Sequence, residues 1–297
     1  LKQRYYMQKL LKNRYIYFIK IAITITILYF IFRKIDFKQL IYTFTELHWY
    51  VVLAILVTTI IKIYIEYINW GHYLKVNPEY EPKSSEIFKS HMIGHSLRFL
   101  LPGGQGVWGK MYFVNNTKRH SFMSMGLERF FQIWINLLFA AFASIFYFRK
   151  INITIPIVAF IIVLFFPLFL YWIKHLKLHK NIDIYFKEYG KILPRIAIMQ
   201  GIYMGVTIFQ YFILINNFLN FHIFSAIISI PLILFSNVIP ITYAGLGLRE
   251  KFAIDVLSKY NIANEIAVTV ALTVFLFNSV LPALIGSIFI IRNKRKS

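Results

Sequence analysis

The chain contains no cysteine, which excludes disulfides, thiolate metal sites and a cysteine nucleophile. Acidic residues are scarce, 12 Asp and Glu against 33 Lys and Arg, so the formal net charge is +21. Charge of either sign is thin, at 15% of 297 residues, where soluble domains run near a quarter. What fills the space is apolar: 58% hydrophobic and 19% aromatic residues, with a mean hydropathy of +0.60. The apolar stretches reach about 18 residues or more, enough to cross a hydrocarbon core as helices. All are of helix length, which argues against a transmembrane barrel. The composition is that of an all-α polytopic membrane protein.

In a soluble protein such a charge would point to nucleic acid. Here the basic residues crowd the loops and termini, as the positive-inside rule requires, and favour anionic lipid headgroups, so no nucleic-acid partner is expected. The basic start, Leu1 to Arg14, precedes an apolar run from Tyr15 to Phe32. No small-residue cleavage site follows, and Arg33-Lys34 ends the run, so the reading is a retained first span rather than a signal peptide.

Two places interrupt the apolar text in the same order. Arg98-Phe99-Leu100-Leu101-Pro102-Gly103-Gly104-Gln105-Gly106-Val107-Trp108-Gly109-Lys110 places proline, glycines and a cation after an apolar run. Ser236-Asn237-Val238-Ile239-Pro240-Ile241-Thr242-Tyr243-Ala244-Gly245-Leu246-Gly247-Leu248-Arg249-Glu250 does so again in the second half. Paired Gly/Pro interruptions in corresponding positions of two halves point to a substrate site built from broken helices.

Around these breaks the periodicity predicts six full spans: Tyr15–Phe32, Trp49–Ile68, Ser121–Phe148, Ile151–Ile173, Ile196–Leu219 and Ile266–Ile291. Asp36 to His48 has helical apolar spacing and is expected along the interface. Trp70 to Ser85 reads as a polar connector. Glu86 to Leu101 is too short and polar for a span, and Val107 to Asn116 is expected as a second short helix. Non-helical backbone at membrane depth is tolerated only against protein or a water-filled cavity, so each break is read as a re-entrant hairpin. Lys174 to Arg195 reads as a basic connector with an amphipathic piece at Ile182 to Tyr189, and Arg249 to Tyr260 as an amphipathic helix. Gly201-x-x-x-Gly205 would permit close helix packing.

The N-terminal arm, the connector 174–195 and the C-terminal tail carry the most Lys and Arg, which places all three in the cytoplasm. Six spans meet that parity if the first hairpin dips in from the cytoplasm and the second from outside. The resulting architecture is six transmembrane helices plus two re-entrant hairpins, an inverted repeat of residues 1–150 and 151–297. Arg33, Lys34 and Lys38 then lie outside, a local departure that the sum over short loops outweighs.

A helix that starts after a glycine turn offers free N–H groups and the positive end of its dipole to a phosphate or carboxylate. Lys110 and Arg249 follow such turns and would add formal charge, or else they only anchor helix ends. Glu128 and Arg129 point roughly 100° apart on one helix, so each needs a partner elsewhere. Glu128 could meet Arg98 or Arg249 while Arg129 faces an anionic ligand, or both could sit solvated at the headgroup boundary. Glu250 either pairs with a cation of the first half or caps its own helix. Lys62 and Glu66, one turn apart, could neutralise each other. The candidate substrate-binding set is therefore Arg98, Gln105, Lys110, Glu128, Arg129, Arg249 and Glu250, with Pro102, Gly103, Gly104, Gly106, Pro240, Gly245 and Gly247 forming the turns.

Two apparent motifs are set aside. Gly104 to Lys110 has P-loop spacing, but Met111 replaces the hydroxyl residue that holds magnesium. His91 and His95 share a helix face, yet no carboxylate stands between them and no third ligand is evident, so they are read as lining the cavity. No metal and no cofactor is expected.

Leu101-Pro102-Gly103-Gly104-Gln105-Gly106, Leu127-Glu128-Arg129, Ile239-Pro240 and Gly245-Leu246-Gly247-Leu248-Arg249-Glu250 together resemble the signatures of the lysylphosphatidylglycerol synthase transmembrane-region family, also called flippase-like membrane proteins. Lys110 stands where that family more often has arginine, which weakens a bidentate phosphate grip. The resemblance implies a domain, here in the cell membrane, that moves an anionic or aminoacylated phospholipid, or a polyprenyl-linked lipid, between leaflets. In two-part members a soluble C-terminal domain makes the aminoacyl lipid. This chain ends six residues after its last predicted span, so it is expected to be a transporter and not an enzyme. The competing functions are an integral membrane transferase on lipid-linked substrates, with Glu128 or Glu250 as base, and a non-transporting lipid-binding assembly subunit. A homo-oligomer or a partner lipid-modifying enzyme stays open.

Overall fold

The computed structural model describes residues 45–100, 102–150, 153–172, 183–239 and 245–292. The predicted first span, most of the interfacial segment, Pro240, the start of the basic connector and the C-terminal tail lie outside these residues. Among the described residues every regular element is helical. Among the described residues, four helical stretches, the last of them running unbroken over Asn264–Arg292, are long and apolar enough to cross a membrane.

Helix α1, Trp49–Leu74, runs six residues past the predicted span end. The extension follows from packing: Trp70, Tyr73 and Leu74 are fully buried, so this end of the helix sits against protein and continues where a connector was expected. Helix α2, Ser84–Leu97, and a 3-10 helix, Pro102–Phe113, form the first break as a hairpin with packed limbs. The second limb was expected as a short helix over Val107 to Asn116. It is a 3-10 helix, and its three-residue turn puts Gly106 and Gly109 in register on one side, both against Leu97. A Cβ on Gly106 would lie 1.8 Å from the Leu97 carbonyl oxygen. The glycines thus bring two backbones together.

Helix α3, Lys118–Tyr147, matches the third predicted span, and the Thr117 hydroxyl caps it by accepting from the His120 N–H. Helix α4, Thr154–Trp172, packs on α3, and the Trp134 indole donates to the Val163 carbonyl at 2.7 Å. Helix α5, Asp183–Asn216, is one continuous rod. The predicted amphipathic piece at 182–189 and the fifth span merge into it, with Pro194 accommodated inside the helix. A Cβ added to Gly201 or Gly205 would meet nothing within 4 Å beyond its own helix. Their motif therefore makes no close packing within the described chain.

The second break consists of α6, Ile223–Leu234, a 3-10 turn at Phe235–Val238, and α7, Leu248–Leu257. The described residues end in α8, Asn264–Phe275, and α9, Leu281–Arg292, joined by a π-helical turn at Leu276–Val280. α2 packs chiefly on α9, α6 on α3, and α1 along α5. The α2–α9 contact is backbone-close: a Cβ on Gly286 would lie 1.9 Å from the Met92 carbonyl oxygen, and the Ser96 hydroxyl donates to the Ala283 carbonyl at 2.5 Å. Large apolar side chains face outward on α1 and α4, among them Ile60, Tyr64, Ile155 and Ile162. Lipid is the solvent that tolerates such a surface.

Candidate functional site

Polar side chains that an apolar helix carries inward must find partners, because hydrocarbon offers none. Gln210 on α5 and Asn278 in the π-helical turn do so reciprocally. The Asn278 amide donates to Gln210 Oε1 at 2.7 Å, and the Gln210 amide donates to Thr58 Oγ1 at 3.0 Å and to Asn278 Oδ1 at 3.2 Å. Lys62 Nζ reaches Gln210 Oε1 at 3.5 Å and lies over the Tyr203 ring at 4.3 Å. α1, α5 and the last rod are thereby fastened at one level. Gln210 and Asn278 escaped the sequence reading, although an amide inside an apolar helix was a visible signal.

Beside this network lies a cavity of about 120 Å³. It is smaller than the roughly 300–1,000 Å³ of pockets that enclose drug-sized ligands, so it has room for a small polar group only. Lys62, Arg98, Arg129 and Arg249 line it, with Glu66 as the one carboxylate among the lining residues. Asn136, Gln200, Tyr203, Asn237 and Asn278 add hydrogen-bonding groups. Both halves contribute.

The four cations are held differently. Arg129 donates to the Gly104 carbonyl at 2.8 Å and to Gln132 Oε1 at 3.1 Å, so it clamps the first glycine turn while facing the cavity. Arg249 donates to Asn237 Oδ1 at 2.9 Å and sits 5.5 Å from the Phe275 ring centroid. Lys62 belongs to the amide network. The Arg98 side chain makes no hydrogen bond or ion pair among the described residues, and its Nε is buried. Its stem lies over Gly104, whose φ of +69° closes the turn.

The rest of the predicted set lies around this core. Lys110 is 1% exposed and donates to Glu128 Oε1 at 2.7 Å, with its ammonium 3.8 Å from the Trp70 ring centroid. Glu128 therefore takes Lys110, not Arg98 or Arg249, as its partner. The Gln105 side-chain Oε1 accepts from the Trp108 indole at 3.0 Å, an exposed contact bracing the hairpin. Glu250 accepts from the Gly247 N–H and caps α7, which decides between its two expected roles. Gly245 and Gly247 have φ of +86° and +85°, and the Arg249 guanidinium folds back over Gly245. Pro102 and Gly103 open the 3-10 limb. Glu66 makes its ion-pair contacts with His91 and His95, supplying the third group that the sequence did not reveal.

The family model described as Lysylphosphatidylglycerol synthase TM region matches residues 17–286. No curated protein and no solved structure gives a match.

Proposed function

The chain belongs to the lysylphosphatidylglycerol synthase transmembrane-region family, hence to membrane proteins concerned with lipid metabolism or lipid flipping, and from that premise we propose that the cavity binds the anionic headgroup of a phospholipid or lipid-linked substrate and passes it between leaflets. The observation that carries this reading is Arg98. A guanidinium with a buried, unpartnered Nε beside three further cations and a single carboxylate leaves an excess of positive charge in a low-dielectric place. Such an arrangement is stable only with a compensating anion. Phosphate matches the fork of an arginine, and the small volume leaves the acyl chains in lipid.

The helix pairings support an inverted repeat of residues 1–150 and 151–297. The first hairpin packs on the last rod through α2 and α9, the second packs on α3 through α6, and α1 pairs with α5. These contacts exchange under a two-fold relation that swaps the halves. Rocking of the halves about a fixed site would alternate its exposure, with the two breaks re-entrant from opposite faces. In this scheme the termini are cytoplasmic and the membrane is the cell membrane.

The test is translocation of fluorescent or radiolabelled lipids in proteoliposomes, with lipid analysis of the purified protein alongside. Loss of one charge-assisted hydrogen bond removes about 1.5–3 kcal/mol, roughly ten- to a hundredfold. Arg98→Ala combined with Arg249→Ala should lose co-purified anionic lipid and slow movement by at least about tenfold. A wild-type protein that moves no candidate lipid faster than this double variant sinks the proposal.

A further inference from the structure

His91 and His95 occupy one face of α2, and Glu66 approaches them from α1. Three ligand-capable atoms converge there. His95 Nε2 is 3.2 Å from His91 Nε2, Glu66 Oε2 is 3.3 Å from His95 Nε2, and the same oxygen is 3.5 Å from His91 Nε2. The side chains are nearly enclosed, at 4%, 8% and 16% exposure for His91, His95 and Glu66.

The two nitrogen–oxygen distances exceed the roughly 2.7–2.9 Å of a charge-assisted hydrogen bond. The triangle has a different natural match. Ligand atoms about 2.0–2.1 Å from a tetrahedral ion lie about 3.3–3.4 Å from one another, close to all three edges. The His91 Nδ1 has no hydrogen-bond partner, so Nε2 is where this ring makes its polar contacts. Against the triad lies a second cavity of about 20 Å³, lined also by Arg98, Lys110, Glu128 and Arg129. That is room for one small species.

We propose that Glu66, His91 and His95 form a three-ligand site for a first-row divalent transition metal, Zn2+ being the representative ion, with its fourth position open to this small cavity. Two imidazoles and a carboxylate are ligands of borderline softness that suit zinc, and three protein ligands with one open position make a tetrahedral site accessible to an exogenous group. Neighbouring cations do not exclude the ion. Lys110 is neutralised by Glu128, and Lys62 is held at Gln210. Arg98 and Arg129 favour an anionic fourth ligand, hydroxide or a phosphate oxygen. The proposal stands on the triad alone and does not need the translocation reading.

The full chain, purified in detergent and stripped with a chelator, is titrated with zinc chloride against a competing dye. Wild-type protein should bind one tight equivalent. Second-shell changes alone weaken metal sites about 10–100-fold, so Glu66→Gln, His91→Asn and His95→Asn should each weaken this equivalent by about 100-fold or more, while His72→Asn and His120→Asn leave it intact. X-ray absorption at the zinc edge of the loaded wild type should show an N/O shell at about 2.0–2.1 Å with imidazole scattering. This second readout needs no variant to fold. Absence of a tight equivalent, equal affinity in the triad variants, or a zinc spectrum without imidazole overturns the proposal.

Discussion

The two breaks carry the same order of residues and use their cations in opposite ways. In the first, Lys110 follows the turn and is consumed by Glu128 and Trp70, while Arg98, which precedes the turn, is left for the cavity. In the second, Arg249 follows the turn and itself enters the cavity, steadied by Asn237. The neighbouring acid, Glu250, is occupied with capping α7. Whether a cation is structural or available for a ligand thus depends on whether a carboxylate from another helix reaches it. Its place relative to the glycine turn does not decide this.

The contrast is broken most severely at the buried pair. Removing one partner of a buried ion pair costs about 3–5 kcal/mol, so Lys110→Ala or Glu128→Ala should lower the thermal midpoint of the detergent-purified protein most. Replacing both with Met should cost less than either single change. Arg249→Ala, which takes a guanidinium from the neutral amide of Asn237, should cost less than Lys110→Ala, and equal losses would erase the distinction.

The turns give the next contrast. Gly106→Ala drives a methyl into the Leu97 carbonyl and should destabilise by about 1–3 kcal/mol or more through overpacking. Gly247 has open space around it but a φ of +85°, so Gly247→Ala should cost only the left-handed penalty of about 1–2 kcal/mol. Smallest of all, Glu250→Gln weakens a cap and should cost about 1 kcal/mol. Thermal denaturation followed by size-exclusion chromatography ranks all of these. A Gly247 variant worse than the Gly106 variant would invert the account of the two turns.

Much of the frame was legible in the sequence. Apolar length located α1, α3, the membrane-crossing part of α5 and the final rod, and proline with glycine located both breaks. The 3-10 limb, read only as a short helix, carried its own signal, since Gly103, Gly106 and Gly109 recur every third residue and a three-residue turn aligns them. Gly201-x-x-x-Gly205 permits close packing without requiring it, and among the described residues no such contact forms there. The contact it seemed to promise lies at Gly286 instead. Glu66 looked like the i,i+4 partner of Lys62, and within an isolated helix the spacing allows it. Tertiary neighbours offered each a different partner, His91 and His95 for Glu66 and Gln210 for Lys62.

By itself, then, the sequence determined that this is a helical membrane protein with two matched interruptions, because hydrophobic length and the conformational limits of proline and glycine act locally along the chain. Only the tertiary structure decided which charges are spent and which remain: Lys110 on Glu128, Glu250 on its own helix, Arg98 facing the cavity. Ionic partners inside a low-dielectric interior are chosen by distances of a few ångströms between helices far apart in the chain. No periodicity encodes those distances.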